Sequence, residues 1–160
     1  MSQNRGKQFE NVIRKAFEKV PDVSIDRLHD QTNGFKGSQN ICDFIVYKEP
    51  YEYYIECKSV HGASLPFRNI TDTQWEGLLE KSKIEGVYAG IICWFIDKEI
   101  TLFIPIQTLN DEKRAGKKSV RCDSLDIWVN YEAIEIKGKK KRVFFDYSME
   151  DFFNEIQSVR

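Results

Sequence analysis

Residues 87–96, VYAGIICWFI, run for ten positions without a charge and are rich in β-branched and aromatic side chains. The run is far short of the roughly 18–20 apolar residues that cross a bilayer. A stretch of this kind reads as a strand buried on both faces, in the interior of a sheet. A second apolar run at 100–104 follows closely and reads as another strand of the same sheet. A sheet apolar on both faces needs cover on both, which the remaining chain must supply as helices.

The rest of the sequence meets that need. Phe9, Ile13, Ala16, Phe17 and Val20 fall at helical spacing, so a helix is expected over 6–20 with Pro21 ending it. A short strand is expected at 23–28, and two more at 41–47 and 53–60, joined as an antiparallel hairpin across KEPYE with Pro50. Near Thr71, TDTQ has the spacing of a capping box, with Trp75, Leu78 and Leu79 as the buried stripe of a second helix. A short helix is expected at 106–114, strands at 133–137 and 142–147 flanking a GKKK turn, and a terminal helix after Ser148. The order implies an α/β (α+β) fold, a mixed sheet with helices on both faces, in a single domain spanning 1–160.

Composition excludes several function classes. With 41% hydrophobic and 31% charged residues the chain is globular rather than disordered. No membrane-spanning run is present, and MSQNRGKQFE lacks the apolar segment of a signal peptide, so a cytoplasmic protein is expected. The four cysteines, Cys42, Cys57, Cys93 and Cys122, form no CxxC pair, and the first three lie in strand-like apolar runs; they read as reduced, buried thiols. With only His29 and His61 besides, any metal would be held by oxygen. The net charge of −1 does not announce a nucleic-acid partner, yet basic residues bunch at Lys113, Arg114, Lys117, Lys118 and Arg121 and again over 137–142. Each cluster is either a solvated loop or a phosphate-binding surface.

The residues that carry chemistry lie in CDFIVYKEPYEYYIECKS, 42–59. On a strand, residues two apart share a face, so Glu56 and Lys58 emerge together while Ile55 and Cys57 point the other way. Asp43 opens the preceding strand. Pairing of the two strands as a hairpin brings its carboxylate within reach of Glu56. Phosphodiester hydrolysis needs charge neutralised on the scissile phosphate, an activated water and a stabilised leaving oxygen. Paired carboxylates suit Mg²⁺, which takes one or two of them and keeps several waters; an adjacent lysine can orient the nucleophile. A Glu-x-Lys alone is also common on half-exposed strands. Glu10 sits along the core-facing edge of the first helix, either paired with Arg14 four residues on or directed at the sheet edge as a third carboxylate.

An N-terminal helix carrying RGKQFE, then CDFIVY, YYIECKS, the loop ASLPFRNI and a helix opening with TDTQ together resemble the RecU-like Holliday-junction resolvases. These are also known as penicillin-binding-protein-related factor A and belong to the PD-(D/E)xK nuclease superfamily. The resemblance covers about residues 4–95. It implies a restriction-endonuclease-like sheet. It implies that Asp43, Glu56 and the Cys57 backbone carbonyl hold Mg²⁺, with Mn²⁺ a possible substitute, that Lys58 assists the nucleophile, and that Glu10 is an auxiliary acid. Gln74 matches a glutamine that closes such a site, although the capping box explains it equally. Ser64 and Arg68 fall in a loop where substrate contacts are implied, and Arg5, Lys7 and Arg14 are candidate DNA contacts on the first helix.

The implied activity is metal-dependent cleavage of branched DNA, a four-way junction above all, by a homodimer. Alternatives are a repair or restriction-like endonuclease on duplex or flapped DNA, or a catalytically silent DNA-binding module. The family's stalk is longer than residues 29–40 here, and the C-terminal third matches nothing in the family, a pattern that suits a phage or mobile-element version. Within 29–40, Phe35 and Lys36 stand between Gly34 and Gly37. They are either part of an ordinary loop or a shortened stalk that contacts the junction centre.

Overall fold

The computed structural model describes residues 2–29, 39–124 and 133–158, with side chains from residue 4 onward. Its central sheet holds six strands. In spatial order these are β1 (Val23–Arg27), β2 (Phe44–Lys48), β3 (Tyr51–Val60), β5 (Val87–Phe95), β6 (Ile100–Pro105) and β8 (Ile134–Glu135). β3 and β5 are parallel and every other neighbouring pair is antiparallel, so the sheet is mixed. All nine residues of β5 are buried, as its uninterrupted apolar run requires.

Two layers of helix cover the sheet. α1 (Ser2–Glu18) and α4 (Met149–Ser158) lie on one face, where Phe9, Ile13, Phe17, Phe152 and Phe153 pack with Phe44, Tyr53, Ile55 and Ile92. α2 (Asp72–Ser82) and α3 (Ile106–Arg114) lie on the other, where Trp75, Leu78, Ile106 and Leu109 pack with Tyr54, Ile91, Cys93 and Ile104. Strand alternation divides the side chains between the two cores: Ile91 and Cys93 serve one, Ile92 and Trp94 the other. The parallel β3–β5 pair is connected through α2, as a parallel pair must be through a crossover.

β2 and β3 form the expected hairpin. Lys48 pairs with Tyr51 across a two-residue turn whose Glu49–Pro50 peptide is cis. The four cysteines are free thiols, and no helix among the described residues is long and apolar enough to cross a membrane.

The C-terminal region departs from expectation. The segment GKK is not a turn but strand β9 (Gly138–Lys140), paired with β10 (Phe145–Tyr147), while Ile134–Glu135 leaves that hairpin to extend the main sheet beside β6. All three residues of β9 are exposed, so no hydrophobic alternation marks it. A further two-stranded sheet joins β4 (Ser64–Pro66) to β7 (Ser119–Arg121).

Candidate active site

The β2–β3 register fixes the site. Phe44 pairs with Ile55, so Asp43, one residue before β2, stands opposite Glu56. The Asp43 backbone is held on both sides: its N–H donates to the Ile55 carbonyl at 3.0 Å, and its carbonyl accepts from the Leu28 N–H at 2.9 Å. Its side chain turns towards β3, where Oδ2 accepts from the Cys57 N–H at 2.8 Å. Extended residues present their N–H and C=O to the same side of the strand. The Cys57 carbonyl therefore faces the edge occupied by Asp43.

Glu56 is 4% exposed. Its Oε1 accepts from Lys58 Nζ at 3.0 Å and from Gln74 Nε2 at 2.8 Å, and the carboxylate also hydrogen-bonds with Asp43. Gln74 has two tasks at once. Its Oε1 accepts from the Thr71 N–H while the Thr71 hydroxyl accepts from the Gln74 N–H, completing the capping box that starts α2. Its Nε2 is thereby aimed at Glu56. The Gln74 side chain thus completes the cap and contacts Glu56 at the same time.

Glu10 reaches the site from α1. It does not pair with Arg14: Arg14 Nη1 bonds Glu18 at 2.7 Å, and Glu10 Oε1 accepts from Arg27 Nε at 3.0 Å. The i,i+4 partner of Arg14 lies on its C-terminal side, and β1 delivers Arg27 to Glu10. The negative charge of Glu10 acts on both Asp43 and Glu56.

Burial and crowding set the electrostatics. Desolvation, followed by the neighbouring Glu56 charge, pushes Asp43 up to about 8, against the counter-effects of the Cys57 N–H and Lys58. Glu56 is raised too, by burial first, with Lys58 opposing and Glu10 reinforcing. The pair thus retains a proton that isolated carboxylates would have lost, a property of the two groups jointly. The Cys57 thiol lies on the opposite face of β3 and burial holds it well above the ordinary thiol range, so it stays neutral.

This donor set fits a hard divalent cation. Two crowded carboxylates and a backbone carbonyl at one edge carry negative charge that Lys58 compensates only in part, and a cation would replace the retained proton. Among the described residues no group of three or more His, Cys, Asp and Glu that could hold a metal ion is found, so the side-chain ligands here would be the two carboxylates alone, beside the Cys57 carbonyl.

No protein-family model matches the chain, and no curated protein matches it. Among solved structures, the Holliday junction resolvase Hjc of Archaeoglobus fulgidus, an archaeal hyperthermophile, aligns with a TM-score of 0.44 at 18% identity. The alignment covers 66% of this chain and 78% of that one.

The other candidate residues are dispersed. Arg5 and Lys7 lie in the first turns of α1, half-buried and exposed respectively. Ser64 pairs with Arg121 in the β4–β7 sheet, and Arg68 is exposed on the short 3₁₀ turn Phe67–Asn69. Phe35 and Lys36 lie outside the described residues. Sequence reasoning missed Arg27 as the partner of Glu10, because nothing local links β1 to α1. It also missed the juxtaposition of Arg68 with the basic cluster around Lys113, which depends on the β4–β7 pairing.

Proposed function

We propose that this chain is a metal-dependent DNA endonuclease of the PD-(D/E)xK type, acting as a homodimer on branched DNA, with the four-way junction as its preferred substrate. The observation that carries the reading is the crowded pair of the buried Glu56 and the half-buried Asp43, with Lys58 beside it at one edge of a hairpin. A purely structural site gains nothing from two carboxylates desolvated against one another.

Asp43, Glu56 and the Cys57 carbonyl would hold the cation, Mg²⁺ or Mn²⁺. When bound, it supplies charge neutralisation at the phosphate and a lowered pKa for the attacking water. Lys58, anchored through Nζ to Glu56, orients the nucleophile and faces the charge that develops on the phosphate. Gln74 fixes the Glu56 carboxylate so that its second oxygen is presented to the cation. Glu10, held by Arg27, adds negative potential that favours cation binding. A two-fold dimer suits the junction because resolution requires paired cuts in strands of like polarity.

The test is cleavage of a four-way junction, a flapped duplex and a linear duplex at equal concentration with Mg²⁺. Faster cleavage of the junction, by symmetric paired nicks, is the expected outcome. Equal rates on all three would retain the nuclease and reject the junction preference, while binding without cleavage of any would reject the enzyme.

A further inference from the structure

We infer that the cleft between α2, the 3₁₀ turn Phe67–Asn69 and the end of α3 holds an unpaired nucleotide of the DNA strand next to the cut, its base over Trp75 and its phosphates on Arg68, Lys113 and Lys118. The location beside a cut rests on the nuclease reading; the cleft itself does not.

The cleft measures about 520 Å³, within the roughly 300–1,000 Å³ common for ligand pockets. It exists because two distant segments are locked together. β4 pairs with β7, and the Phe67 N–H donates to the Lys118 carbonyl at 2.9 Å, so the loop after the Glu-x-Lys strand meets the basic cluster that follows α3. Arg68, Lys113, Lys117 and Lys118 line the cleft, and Asp72 is the one carboxylate among its described lining residues. Lys117 is engaged by the buried Glu112, yet the rim remains positive without it.

The floor is apolar and aromatic. Phe67 meets Trp75 edge to face with ring centroids 5.4 Å apart, and Ile70 completes the surface. Lys113 Nζ sits 4.4 Å from the Trp75 ring centroid. Trp75 is 6% exposed, with Lys113 over its ring; Lys113 is itself exposed, and its swinging aside on an unbranched stem is what would open the ring to a base and turn the charge to the neighbouring phosphate. A cationic rim above an aromatic floor is the chemistry that accepts a strand with bases turned out. A duplex offers phosphates but keeps its bases stacked. The cleft also adjoins the site: Thr71 and Trp75 line it, while Gln74, between them, donates to Glu56.

The experiment measures binding by fluorescence anisotropy with metal chelated, so that cleavage plays no part. The probes are a forked duplex with a single-stranded arm, the same fork with abasic sites in the arm, and a blunt duplex. The wild-type chain should bind the base-bearing fork several-fold more tightly than either other probe. In Lys113→Ala/Lys118→Ala, affinity for the fork should fall on the order of tenfold, and the slope of log affinity against log salt should lessen by about 1 to 1.5, corresponding to two single-strand phosphate contacts. The blunt duplex should lose much less. Both lysines are exposed, and an unchanged melting temperature would show that the fold is retained. Equal losses on fork and duplex, unchanged affinity in the variant, or equal binding of abasic and base-bearing arms by the wild type would each overturn the inference. Preference for the arm without metal-dependent cleavage would overturn the nuclease reading alone, and cleavage without that preference would overturn this inference alone.

Discussion

Glu56 meets two opposing demands: it is nearly sealed from water, yet it must carry charge if it is to hold a cation. Lys58 and Gln74 supply two donors, but burial and the like charge of Glu10 oppose its ionisation, and its own charge in turn opposes that of Asp43. The folded protein without metal should therefore prefer to keep a proton on the pair. For Asp43 the folded pKa is raised to about 8 from an ordinary 3.8. Between those values the native state binds a proton that the unfolded state lacks, so stability falls as pH rises through this window. Urea midpoints in chelator should drop from pH 5 to pH 8, and Asp43→Asn should flatten the trend; a flat wild-type profile would contradict the electrostatic account. Gln74→Ala should lower metal affinity about 10–100-fold by releasing the Glu56 carboxylate. Calorimetric titration with Mn²⁺ checks this, and wild-type affinity in the variant would remove Gln74 from the site.

The elements that carry these residues depend on two local features. Thr71 caps α2 and, through the same hydrogen bonds, sets the position of Gln74. Thr71→Ala should cost about 0.5–2 kcal/mol of stability and also loosen the Gln74–Glu56 contact, with thermal melting and cleavage rate read on the same preparation. Gly90, in the middle of β5, has no room for a side chain: an added Cβ would lie 2.4 Å from the Ile104 carbonyl oxygen and 2.8 Å from the Phe103 ring. The backbone oxygen belongs to a paired strand and cannot yield cheaply. Gly90→Ala should destabilise the chain by about 1–3 kcal/mol or more through overpacking, lowering the urea midpoint while leaving Asp43 and Glu56 in place. A variant as stable as the wild type would show that β5 and β6 are not packed this closely.

At the scale of the whole molecule, the parts legible in sequence are those with a strong local period. The all-apolar β5, the amphipathic α1 and the two apolar runs joined across KEPYE as the β2–β3 hairpin declare themselves, and the hairpin register alone brings Asp43 opposite Glu56. Features built from long-range pairing do not. β4, β7 and β9 are three residues each, too short for any periodicity, and β8 joins β6 across more than thirty residues of chain. Sequence reasoning therefore reaches the carboxylate pair but not the Arg27–Glu10 contact or the basic cleft, both of which exist only once distant elements meet. The central claim is that Asp43 and Glu56 form the metal site of a nuclease, and the direct measurement is the DNA cleavage rate as Mg²⁺ is titrated from chelator to excess. Wild-type cleavage should rise from zero with metal. Asp43→Asn and Glu56→Gln should lose cleavage at every concentration while still binding DNA, because the basic surface is untouched. Cleavage at the wild-type rate by either variant, or cleavage that persists in chelator, would contradict the account.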